Sequence, residues 1–245
     1  MALQTDQWGY TNPIVQPLYG EPPLIWRDAE IHLVVYETAW ENIERLIPAP
    51  LKPRTNTVIV WHSRLELAAT QGSFSGEAAI YVQVEYDGLE GDYEPFLYVD
   101  SHLPVVAGRE IWGYQKKMVD AVQIVREMEA VRAQTDRLGH QIMKALVVPV
   151  READISEVPW SRDGVFSLKY IPATDEGATP LRELVLTEGK FTSQPGKFFA
   201  GPASVTFERS EIDPTYILAP EKIIGGFFGK GDLFLPKGRV VHNYS

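Results

Sequence analysis

Apolar and polar residues alternate along most of this chain, and no stretch keeps a helical period for long, so the fold must be built mainly from strands. The period-2 pattern predicts strands over Ile31–Tyr36, Val58–Leu67, Ala78–Tyr86, Phe96–Val99, Val165–Ile171, Leu181–Leu186, Ser204–Glu208 and Leu233–Val241. Gly, Pro and Asp turns separate them, and a closed or heavily curved antiparallel assembly follows. Helix is confined to short pieces. Thr38-Ala39-Trp40-Glu41 has the form of a capping box, which predicts a helix from Ala39 to about Leu46, ending before Pro48. A further short helical turn is expected within Leu218–Gly226. In Ala121–Val150 the composition favours helix, whereas Asp136-Arg137-Leu138-Gly139 reads as the turn of a long hairpin.

A length of 245 residues suits one domain with a well-buried core, and no composition shift marks a seam. The formal net charge of -10 argues against nucleic acid and anionic membrane as partners, since both need a basic face. The chain has no cysteine, which removes disulfides, thiol catalysis and cysteine-ligated metals. Five histidines are scattered without metal-ligand spacing, so no metal site is expected. The start lacks a basic segment followed by an apolar run, and a cytoplasmic, soluble protein is expected. Residues 1–23 carry Pro13, Pro17, Pro22 and Pro23 with Gly9 and Gly20, which reads as an extended arm over the surface or over a neighbouring subunit.

The segment Gly108-Arg109-Glu110-Ile111-Trp112-Gly113-Tyr114-Gln115-Lys116-Lys117-Met118 carries the chemistry. If residues 112 to 118 are extended, Trp112, Tyr114, Lys116 and Met118 share one side, and Gly113, Gln115, Lys117 and Val119 the other. Only Lys116 then sits among large apolar groups. Desolvation there favours the neutral amine, which is a nucleophile toward carbonyl carbon. Two adjacent solvated loop lysines are the plainer reading of the same letters. Similarly, Glu77, Ala79, Tyr81 and Gln83 share one face of a strand starting near Glu77, which makes Tyr81 and Gln83 lesser pocket candidates.

The order of blocks resembles the acetoacetate decarboxylase-like superfamily: LVVYETAWENIERLIPAPL, DGLEGDY, AGREIWGYQKK, LKYIP, AGP and LAPEKIIGGFFGKGDLFLPKGRVVHNY, spread over nearly the whole chain. The resemblance implies a single α+β domain around a closed, cone-like, mainly antiparallel β-barrel with a few short helices, and β-structure after the double lysine. It places Lys116 at the Schiff-base lysine, Lys117 at its neighbour and Glu77 at a pocket glutamate. Three positions depart from the pattern. Ala29 stands where an arginine is expected to hold the substrate carboxylate, with Arg27 two residues away on what an unbroken strand would make the same face. His62 stands where a second pocket glutamate is expected, and suits proton transfer or plain packing. Gln115 replaces a proline.

These residues point to a cofactor-independent Schiff-base lyase acting on small oxo acids, of decarboxylase-like type, with acetoacetate itself a doubtful substrate. Arg27, Arg64 and Arg109 are the candidate carboxylate anchors. An aldolase-dehydratase or hydratase acting on 2-oxo acids such as pyruvate is the alternative, and a non-catalytic barrel that binds a small acid is the third. A homo-oligomer is expected.

Overall fold

The computed structural model describes residues 2–66 and 74–244; Leu67, the expected end of one strand, lies outside them. The elements run β1 (Leu24–Glu37), α1 (Trp40–Glu44), β2 (Lys52–Glu66), β3 (Phe74–Tyr86), β4 (Leu89–Val99), α2 (His102–Ala107) and β5 (Lys116–Met118). There follow β6 (Ala121–Glu127), β7 (Ala130–Arg137), β8 (His140–Val147), β9 (Arg151–Glu152), β10 (Val165–Ile171) and β11 (Leu181–Thr187). The last are β12 (Lys190–Gly201), β13 (Ala203–Phe207), β14 (Lys222–Leu235) and β15 (Arg239–Asn243).

The larger sheet has the order β15-β11-β10-β4-β3-β2-β1-β14-β12-β9, with β5 added beside β4, and the smaller has the order β13-β8-β7-β6. Pairing is antiparallel except where β4 meets β10 and β5. Among the described residues the hydrogen-bonded path runs from β15 to β9 without rejoining itself, so the pairing does not include the expected closure into a barrel. The mainly β architecture with few short helices stands.

The central strands β1, β2 and β3 are buried on both faces, and residue parity divides those faces between two cores. Even positions such as Val34, Val58, Val60, Ile80 and Val82 pack against Val131, Ala133, Met143 and Ala145 of the smaller sheet. Odd positions such as Ile31, Leu33, Ile59, Trp61 and Ala79 pack with Leu97, Trp112, Tyr114 and Phe198 on the opposite side. A cavity opens on that second side.

Several expected elements differ. The segment 121–150 is a three-stranded meander, not one hairpin: the turn at Leu138-Gly139 is present, and a second occurs where Met128 adopts φ of 56°. Thr38 caps no helix; its hydroxyl donates to the Ala219 carbonyl (2.8 Å), and the short helix starts after Ala39. The turn expected within Leu218–Gly226 lies earlier, at Thr215–Leu218, because 222–235 is strand. Pro236-Lys237-Gly238 divides the strand expected over Leu233–Val241. β12 escaped notice because Ser193-Gln194-Pro195-Gly196 interrupts its alternation, as the ladder shift between Ser193 and Phe198 shows.

Candidate active site

Residues 108–112 wind into one wide helical turn, Gly113 takes a left-handed φ of 81°, and the chain then enters β5. Glycine is required at the Gly113 end of this turn, and at the Gly108 end it makes room for a side chain. A Cβ on Gly108 would sit 2.7 Å from Lys116 Cδ, and one on Gly113 would sit 2.3 Å from the Lys169 Cα. The motif thus leaves room for the lysine stem and lets two backbones touch. The curl differs from the fully extended reading of 112–118, and it exposes Met118 while Trp112 and Tyr114 stay buried. Lys116 and Lys117 still point to opposite sides.

The lysine hydrogen-bonds to a carboxylate. Lys116 pairs with Leu97 on β4, Glu77 pairs with Val99 on the far side of β4, and their side chains meet above that strand. Lys116 Nζ lies 2.6 Å from Glu77 Oε2, with side chains only 10% and 15% exposed. The Tyr114 ring centroid is 5.8 Å from the same nitrogen. Lys117 turns the other way. It donates to Asp213 (3.0 Å) and to the Ile212 carbonyl (3.1 Å), and Asp213 also accepts from Arg137 (2.7 Å).

Around Lys116 lies a cavity of about 440 Å³. Aromatic rings wall it: Trp61 packs edge-on against Trp160 and Phe191, and Tyr81 against Trp160 at 5.2 Å. Among the described lining residues the carboxyl groups are Glu77, Asp92 and Glu94. Asp92 accepts the Ser161 amide and hydroxyl, yet burial pushes it up to about 6. Burial, reinforced by the negative charge of Glu77, raises Glu94 well above the usual carboxylate range and so favours its protonated form. Tyr81 and Tyr114 line the cavity, and burial keeps both phenols protonated.

The expected anchors do not converge here. Between Trp26 and Ala29 the ladder to β14 shifts, with Asp28 at φ of 50°, so two β1 residues oppose Asp232 alone. That bulge sends Trp26 toward the cavity and Arg27 outward into an ion pair with Asp232. Arg64 is exposed on the neighbouring strand and does not line the cavity. Arg109 is exposed too, with its guanidinium directed at the Lys116 carbonyl (3.4 Å). Among the described lining residues the cations are Lys116 and Lys190. His62 is an even-numbered residue of β2 and therefore faces the smaller sheet, where its ring meets Thr135 (3.2 Å) and stacks edge-on with His32. Burial holds His62 well below its ordinary value, in a place no cavity substrate reaches. Gln115 braces β4 instead, donating to the Tyr93 hydroxyl and to the Glu94 carbonyl (3.3 Å). Gln83 likewise holds Thr55 and the Pro159 carbonyl rather than the cavity.

Glu94 escaped the sequence reading, although it directly follows one of the resembling blocks. Its signal was Pro95 inside a strand, since proline in a ladder marks an edge or a bulge. The bulge is there: between Ile80 and Val82 the single residue Tyr81 faces two residues of β4, Glu94 and Pro95.

A buried amine hydrogen-bonded to a carboxylate in an aromatic cavity is an arrangement with the chemistry to take up a carbonyl compound through nitrogen. The chain belongs to the acetoacetate decarboxylase (ADC) family, whose model matches residues 11–245. It is 26% identical over 243 residues to acetoacetate decarboxylase 1 of Mesorhizobium japonicum, covering 96% of this chain and 94% of that one. Two solved structures share the fold. Acetoacetate decarboxylase from Legionella pneumophila superposes with a TM-score of 0.82 at 23% identity, covering 100% of this chain and 99% of that one. The enduracididine biosynthesis enzyme MppR, in complex with the condensation product of pyruvate and imidazole 4-carboxaldehyde, superposes with a TM-score of 0.81 at 19% identity over 97% of each chain.

Proposed function

We propose that this chain is a Schiff-base-forming lyase acting on small oxo acids, with Lys116 as nucleophile and Glu77 as its proton partner. The observation that carries the reading is the Lys116 Nζ to Glu77 contact of 2.6 Å inside the aromatic cavity. Glu77 is placed to take a proton from Nζ, which frees the lone pair for attack on a ketone carbon. Loss of water from the carbinolamine gives an iminium beside the Glu77 carboxylate. The iminium accepts the electron pair of an adjacent C–C bond as carbon dioxide leaves, which forms an enamine. Protonation at carbon and hydrolysis then release the ketone and the lysine. An apolar wall assists, because a carboxylate that loses its charge needs less water.

The cavity argues against acetoacetate as the preferred acid. No arginine lines it among the described residues, while Lys190 and the indole N–H of Trp61 are available to receive a carboxylate. The Trp61 nitrogen is buried without a hydrogen-bond partner among the described residues. A cavity of about 440 Å³ also exceeds what a four-carbon acid fills. That spare volume favours a second reading, in which a 2-oxo acid enamine attacks an aldehyde and the adduct loses water; MppR, crystallised with such a condensation product, shares the fold. The test is a panel of 2- and 3-oxo acids with borohydride, read by peptide mass. The expected result is a reduced adduct on Lys116. No adduct with any oxo acid would leave a non-catalytic binding protein.

A further inference from the structure

Glu94 owes its place to backbone geometry. In an unbroken ladder the residue next to Tyr93 would be followed by strict alternation, and Leu97 would face the smaller sheet. The bulge at Glu94-Pro95 resets the parity, so that Glu94 and Leu97 both face the cavity while Tyr93 and Tyr98 face the other core. The Gln115 amide holds the Glu94 carbonyl and thereby ties the bulge to the strand that carries Lys116. The carboxyl itself is 2% exposed, and its Oε1 has no hydrogen-bond partner among the described residues. A buried carboxyl oxygen left unpaired costs stability, and such groups are retained where something else uses them. The Tyr81 hydroxyl faces the same carboxyl, and Lys116 and Glu77 are close enough to act on its charge.

We propose that Glu94 is the second catalytic residue of this site, the acid that protonates the enamine carbon. This rests on the Schiff-base reading of Lys116. Once the enamine forms, the C=C electron pair takes the proton from Glu94 and makes a C–H bond, while the nitrogen lone pair restores the iminium. Glu94 becomes a carboxylate beside that cation. Water then adds to the iminium carbon, its O–H bond breaks, and the proton returns to Glu94. Burial suits this cycle, because it favours the acid form that the first transfer needs. Glu77 serves the nitrogen and Glu94 serves the carbon.

The reverse of the same step exchanges hydrogens next to the carbonyl, and that is what the experiment reads. Acetone and pyruvate are incubated with the protein in D2O, and deuterium at the methyl carbon is followed by NMR beside borohydride trapping on Lys116. Glu94→Gln keeps the shape but has no proton to transfer, and Glu94→Leu replaces the unpaired carboxyl with an apolar group of similar size. Both are expected to retain the trapped Lys116 adduct while exchange falls by about 10²- to 10⁴-fold, the usual worth of a positioned acid. Exchange at the wild-type rate in either folded variant, with the adduct intact, would overturn the role of Glu94 and leave the Schiff base standing. Failure of the wild-type protein to form any adduct would overturn both.

Discussion

Replacing Lys117 by methionine separates two reasons for a reactive Lys116, the field of the adjacent cation and the burial of the amine itself. The two side chains leave β5 on opposite faces, which puts the charges on the order of 10 Å apart. At that separation the cation acts on Lys116 with about 1.7 kcal/mol if the effective dielectric is about 20, and with about 0.4 kcal/mol in water. Lys117 is 45% exposed and bound to Asp213, so the aqueous end of that range applies. Lys117→Met should therefore slow adduct formation at Lys116 by less than about four-fold, a difference under about 0.8 kcal/mol. Lys116→Arg should abolish the adduct, since a guanidinium keeps its proton. The assay is the initial rate of borohydride-trapped adduct on the peptide that carries both lysines. A folded Lys117→Met protein that loses the adduct as fully as Lys116→Arg would refute the reasoning and restore the neighbouring charge as the cause.

Glu77→Gln removes a charged partner 2.6 Å from Nζ, and at about 1.5–3 kcal/mol for such a bond, trapping should slow by roughly one to two orders of magnitude; an unchanged rate would remove Glu77 from the mechanism. Gly108→Ala places a methyl against the Lys116 stem and should cost adduct formation far more than melting temperature, which parallel trapping and thermal denaturation would show. Native protein should release little carbon dioxide from acetoacetate when assayed beside pyruvate plus an aldehyde, and efficient release would return the site to acetoacetate. Burial lowers His32 to about 4, so the folded state binds fewer protons than the unfolded state between about pH 4 and 6.5, and stability drains away as pH falls through that window. The full loss is about 3 kcal/mol. Asp92 and Glu94, both raised, titrate in the opposite sense, so the measurement is the difference in melting between wild type and His32→Leu across that range.

Strand faces were legible in the letters because a period of two needs only local information. Parity put Tyr81 on the face of Glu77, which the resemblance had picked out, and parity alone separated Lys116 from Lys117. His62 was equally readable: it shares its face with Val58 and Val60, opposite Trp61, and parity alone removes it from the cavity. The pairing order was not legible, since β10 and β5 join β4 across long sequence separations. Nor was the outward turn of Arg27, which depends on Asp28 in a left-handed conformation and on Asp232, more than two hundred residues away.

What local reasoning missed at this site comes largely from two irregularities of the same kind. A bulge in β1 turns an arginine out of the cavity, and a bulge in β4 turns a carboxyl in. Each reverses the side on which a neighbouring residue falls, so a count made from a regular strand inverts at that point. Their joint effect is chemical. With Arg27 outside and Glu94 inside, the described lining of the cavity holds three carboxyl groups against the two lysines at positions 116 and 190. On the proposed Schiff-base reading, Lys190 is the cation left for a carboxylate, and the covalent bond to Lys116 and contact with the aromatic wall supply the rest of the hold, which favours oxo compounds with more apolar surface than acetoacetate offers.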